Sequence, residues 1–104
     1  MDRIDDYVEV VRHAVADYAN ATTFQASTFF SQDDEHDIYS VIVVPDLPRP
    51  FPARVVVMAR IVGENIVIDE DTTDRPLYEA LLRRGIPREK IILAYAGEQP
   101  PASN

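Results

Sequence analysis

Two acidic clusters, two histidines and one basic run supply the side chains whose types suit chemistry. Asp33, Asp34, Glu35, His36 and Asp37 follow one another without a break. A metal ion accepts such a mix of carboxylates and imidazole. A dedicated calcium loop also needs oxygen ligands at set spacings and a glycine at its sharp turn, and this stretch has no glycine. A solvated turn between strands explains it more simply. Asp69, Glu70, Asp71 and Asp74 form the second cluster. Carboxylates can share acid and base duty where a cleft pushes their pKa values apart, so a small metal-dependent hydrolase using residues 69–74 is one alternative. Their position at the end of a strand pattern and the start of a helical one gives the structural reading, since a helix dipole favours negative charge there.

The remaining tests for catalysis find nothing. His13 lies off the apolar stripe of its helix and reads as a surface residue. No serine sits in a nucleophile elbow. Three glycines in all cannot build a phosphate cradle with GxGxxG or P-loop spacing. The chain has no cysteine, which removes disulfides, thiolate catalysis and cysteine zinc sites. The expectation is a protein that is not an enzyme, with no catalytic residue, metal ligand or cofactor.

Charge bears on partners. Ten Lys and Arg stand against eighteen Asp and Glu, a net charge of −8. Binding to DNA phosphates needs a basic face, because counterion release dominates such affinity. Arg83, Arg84, Arg88 and Lys90 are the only dense cationic group. The balance argues against autonomous DNA binding, which stays as an alternative through those four residues. A basic protein partner fits the numbers better.

The 104 residues suffice for one domain with a modest core. Apolar residues at 46% and charged residues at 27% place the chain among soluble globular proteins. No apolar run approaches the roughly 18 residues of a membrane span. The start, MDRIDDYVEVV, lacks a signal peptide's basic and apolar blocks. A cytoplasmic location is expected.

The elements that would position these groups follow from periodicity. Ile4, Tyr7, Val8, Val11, Val15 and Tyr18 recur at helical spacing up to a stop near Asn20. Phe24–Phe30 and Ile38–Val44 read as strands joined by the polar run after Phe30. Four prolines between Pro45 and Pro52 mark an extended loop. Val55–Val62 and Ile66–Ile68 are two more strands around the tight joint Gly63-Glu64-Asn65. A second helix follows, capped by Thr73 or Asp74, with Pro76 in its first turn and Leu77 and Leu81 on its buried side. Gly85 closes it, Pro87 prevents its restart, and Ile91–Ala96 reads as a fifth strand. The fold class is α+β: an N-terminal helix, a four-strand antiparallel meander, a second helix and a fifth strand, both helices on one face. Residues 1–97 form the single domain and 98–104 a flexible tail. The strand VVVMARIV is apolar on both faces, so a homo-oligomer is expected to cover the sheet.

The segment IVIDEDTTDRPLYEALLRRGIPREKIILAY, Ile66 to Tyr95, resembles the C-terminal signature of the XisI family, the fdxN element excision controlling factors. Gly85, Ile86, Pro87, Arg88, Glu89, Ile91, Leu93 and Tyr95 fall on that pattern in register, as do Thr73 and Asp74. The order and length of the elements before it also fit. Glu70-Asp71-Thr72 stands where the family often has an Asp-Gly turn, and Ala96-Gly97 where a histidine is common. The resemblance implies an accessory protein in programmed DNA excision, acting with a recombinase and a nuclease-like companion, XisH, and carrying no catalytic residue of its own. Thr73, Asp74, Gly85, Pro87, Arg88, Glu89 and Tyr95 are then structural signature residues with a possible interaction surface among them.

Overall fold

A computed structural model describes residues 3–20, 26–48 and 51–99. The chain folds as α1 (Arg3–Ala16), β1 (Ala26–Asp33), β2 (Ile38–Pro45), β3 (Arg54–Val62), β4 (Asn65–Asp71), α2 (Leu77–Arg83) and β5 (Ile91–Leu93). A 3-10 turn, Asp17–Asn20, extends α1. The expected α+β order is therefore the observed one. The five strands lie in sequence order, antiparallel from β1 to β4, with β5 parallel to β4 at the edge. That last pairing follows from α2: a helix crossing over between β4 and β5 returns the chain to the end where β4 began.

Alternation decides what each face buries. In β2, Tyr39, Val41 and Val43 are buried, and in β3 so are Val57, Ala59 and Ile61. Val11, Ala14 and Val15 of α1 close over this face, and Leu77 and Leu81 of α2 join them above Ile66 and Ile68 of β4. Leu81 is fully buried, and truncating such a side chain to alanine costs about 2–5 kcal/mol. Tyr7, Val8 and Tyr18 pack at the margin of this core, completing the described part of the expected stripe. The side chains of Ile4 and Asn20 lie outside the described residues.

Boundaries differ from expectation where pairing overrides composition. β1 runs to Asp33 because Ser31, Gln32 and Asp33 pair with Ser40, Tyr39 and Ile38; Phe24 lies outside the described residues. Pro45 ends β2 opposite Ala26 and is not loop. β4 continues to Asp71, since Glu70 and Asp71 still find Met58 and Val57. β5 stops at Leu93, and Ala94–Ala96 turn into a 3-10 helix where strand was expected.

Two bulges shape the end of the sheet. Ala59 faces Ile68 but Met58 faces Glu70, so Asp69 is the extra residue of β4. Past it, Asp71 stands opposite buried Val57, on the helix side of the sheet. Val41 faces Val57 and Ile42 faces Val55, leaving Val56 over in β3. The Val56 carbonyl accepts the Thr72 amide at 2.9 Å and its hydroxyl at 3.1 Å.

Candidate functional site

The acidic tip of the β1–β2 hairpin is closed by its own hydrogen bonds. Asp33 Oδ1 accepts the amides of Glu35 at 3.0 Å and His36 at 3.3 Å, and Asp33 Oδ2 lies 2.7 Å from His36 Nδ1. The His36 ring beside it holds the Asp33 carboxyl below its ordinary value. Asp33, Glu35 and His36 could offer ligand atoms within 4.8 Å of one another, but all three are exposed. Asp34 instead accepts from the Gln32 amide at 3.0 Å. The cluster's geometry is that of a side-chain-bonded turn.

The second acidic cluster is divided between the two faces of the sheet. Asp69 pairs with Arg60 across 2.5 Å, on the face away from the helices. Asp71 points the other way: its Oδ1 accepts the Thr73 amide at 2.9 Å, and its Oδ2 accepts the Leu77 amide at 2.7 Å. Glu70 and Asp74 are exposed. No two of these carboxylates share a cleft, so the arrangement does not supply the hydrolase alternative with an acid–base pair. The cap of α2 is also corrected: neither Thr73 nor Asp74 reaches the helix amides, and Pro76 occupies the capping position. Asp71 does the capping from the end of β4 because the bulge at Asp69 turns it inward.

The basic run separates as well. Arg84 bonds Asp17 at 2.8 Å, Arg88 bonds Glu98 at 2.7 Å, and Lys90 lies 3.4 Å from Glu64. Three of the four cations therefore spend their charge on neighbouring carboxylates, and they do not form one basic face. His13 is exposed and 3.4 Å from Glu9, as a surface residue should be.

The signature residues occupy structural positions. Gly85 has φ +96, a left-handed conformation that lets the chain leave α2 while the Ile86 amide bonds the Leu81 carbonyl at 3.1 Å. Pro87 caps the 3-10 turn Arg88–Lys90, in which Glu89 is exposed. The Arg88 guanidinium lies over the Tyr78 ring at 5.9 Å and donates to the Ile91 carbonyl at 2.7 Å. Thr73 Oγ1 is 2.6 Å from Asp71 Oδ1 and 2.9 Å from the Arg75 carbonyl. Tyr95 is 37% exposed, and what burial it has raises its phenol above the ordinary value.

Three residues gain roles that pattern reading did not give them. Tyr18 donates to the Arg75 carbonyl and so ties the end of α1 to the approach to α2. Burial raises its phenol above the ordinary value. Glu98, expected in the tail, accepts the Leu93 amide at 2.9 Å and pairs with Arg88. That amide first, and Arg88 second, hold its carboxyl below the ordinary value. Asp17, unremarked in the sequence, holds Arg84. Tyr18 had a signal, as the last position of the apolar stripe; Asp17 and Glu98 had none.

Two clefts open beside Tyr18 and Arg75. The first, about 450 Å³, lies between α1 and α2 and is lined by Ala14, Asp17, Ala80, Arg83 and Arg84. The second, about 510 Å³, is lined by Val41, Val43, Phe51, Arg54 and Asp74 among others. Arg54 sits 4.8 Å from the centre of the Phe51 ring there. Thr73 in the second cleft bonds Asp71, whose carboxylate is already engaged with the Leu77 amide.

Comparison with known proteins gives a consistent result. The structure is similar to a XisI-like protein from Anabaena variabilis, with 27% identity and a TM-score of 0.77 over 93% of this chain and 88% of that one. It also shares the fold of the fdxN element excision controlling factor XisI from the same organism, with 20% identity and a TM-score of 0.75 over 96% of each chain. No curated protein matches. The model of the XisI protein family matches residues 1–101. The chain belongs to the XisI family.

Proposed function

We propose that the chain is a non-enzymatic control factor of DNA element excision, or of a related two-protein system, acting through an XisH-like protein partner. The observation that carries this reading is the family match over residues 1–101, together with the excision-controlling role named for a protein of the same fold. The geometry supports it in one respect: the carboxylates best suited to catalysis are engaged in folding, Asp69 with Arg60 and Asp71 with Leu77. The net charge of −8 suits a basic, nucleic-acid-handling partner. Co-expression with an XisH-like protein tests it: a co-purifying complex is expected, and separate elution at micromolar concentration would overturn it.

A second copy of the chain is the occupant proposed for the sheet face away from the helices. Phe29 is 54% exposed there, opposite Ile42 in the β1–β2 ladder, and Val44 and Met58 lie on the same face. The charges of Arg60 and Asp69 are closed on each other within that face. The Arg60–Asp69 pair therefore adds no net charge to that face.

A further inference from the structure

Most described cations are neutralised locally. Arg12, Arg60, Arg84, Arg88 and Lys90 each have a carboxylate within 4.0 Å. Among the described residues, Arg54, Arg75 and Arg83 have none, in a chain where acids outnumber bases eighteen to ten. Arg54 lies over the Phe51 ring in the other cleft; Arg75 and Arg83 line the cleft between α1 and α2, and Arg84 lines it with them.

The helices build this convergence. Ala80, Arg83 and Arg84 stand at i, i+3 and i+4, so α2 presents them along one face. Ala14 and Ala80 are small and leave the cleft its volume of about 450 Å³. A plainer role for the arginines would be to satisfy the carbonyl end of α2. The backbone already does so: Ala80 O accepts the Arg84 amide, Leu81 O the Ile86 amide and Leu82 O the Gly85 amide, at 3.0–3.2 Å. The guanidiniums are thus spare to that helix end.

We propose that this cleft is an oxyanion site for a phosphate dianion, free or as a small monoester, with Arg75 and Arg83 as its principal ligands and Arg84 as a third. A guanidinium presents a planar fork of donors that matches phosphate oxygens. Among the described residues Asp17 is the one carboxylate lining the cleft, and it is already committed to Arg84 at 2.8 Å. Its side chain is 63% exposed, so a bound dianion can draw Arg84 inward while Asp17 turns to water. An extended polyanion is disfavoured, since Arg88 and Lys90 are paired elsewhere and the chain as a whole is acidic. The proposal does not rest on the partner reading, because the isolated chain should bind.

Titration of the isotope-labelled chain by NMR tests it, with inorganic phosphate and adenosine monophosphate as probes and potassium chloride at matched ionic strength as control. Saturable shifts are expected at the amides of Ala14, Asp17, Ala80, Arg83 and Arg84. Arg83→Gln and Arg75→Gln should each weaken binding about tenfold, with spectra otherwise native; Arg12→Gln should bind as wild type. Tighter binding of the nucleotide would identify it as the source of the phosphate, and equal binding would identify free phosphate; both uphold the site. Shifts no different from chloride, or undiminished binding by both cleft variants, would overturn it.

Discussion

The Asp71 carboxylate accepts the Leu77 amide across 2.7 Å, bridging from the last residue of β4 to the first of α2. A helix amide that would otherwise lack an intrahelical partner is satisfied from the sheet. The other carboxylate oxygen takes the Thr73 amide, so one side chain fixes both the loop and the helix it leads into.

Asp71→Ala should therefore destabilise the fold by about 2 kcal/mol, from the lost cap and the amides left unpaired. Asp74→Ala, at an exposed position with no cap bond, should stay within about 0.5 kcal/mol of wild type. Urea unfolding of the two variants checks this. Equal losses would return the cap to Asp74.

Gly85→Ala should cost about 1–2 kcal/mol, because a side chain disfavours the left-handed region. No atom lies within 4 Å of the added carbon, so the penalty is in the backbone and not in a clash. A thermal melt reads it directly, and an unchanged midpoint would mean that the turn relaxes.

The Arg88–Glu98 pair gives a pH dependence. Glu98 is held below its ordinary value of 4.5 by the Leu93 amide and Arg88. A depressed carboxylate stabilises the fold above its unfolded pKa, and that contribution fades as pH falls through the lower folded value. The stability difference between wild type and Glu98→Gln should accordingly be present at neutral pH and shrink below pH 4.5. A difference constant down to acid pH would contradict the pairing.

These sites show where the sequence was readable. Element order followed from period: Val11 and Val15 at helical spacing, Tyr39, Val41 and Val43 in alternation. Gly85 and Pro87 marked the helix end because one residue type tolerates that backbone and the other forbids a restart. What local pattern could not carry was pairing at a distance. The bulge at Asp69 decides which way Asp71 faces, and that register depends on β3. The short β5 pairs only with Ile66, Val67 and Ile68 and stops at the bulge of β4, and Glu98 finds its role ten residues from Arg88. Four basic residues close in sequence looked like one patch; three of them meet separate acids in space.

Exposed Phe29 offers a test of self-association. Light scattering should give a mass twice the 11.7 kDa of one chain, and Phe29→Glu should return it to a single copy. A wild-type mass of 11.7 kDa would contradict the proposed covering of the sheet.

The central claim is that this chain works by binding a protein partner. Sedimentation velocity of the purified chain mixed with an XisH-like protein measures it most directly. A single faster boundary that saturates with a Kd of about 1 μM or tighter is the expected result. Two boundaries at their separate rates, over the same concentrations, would contradict the account.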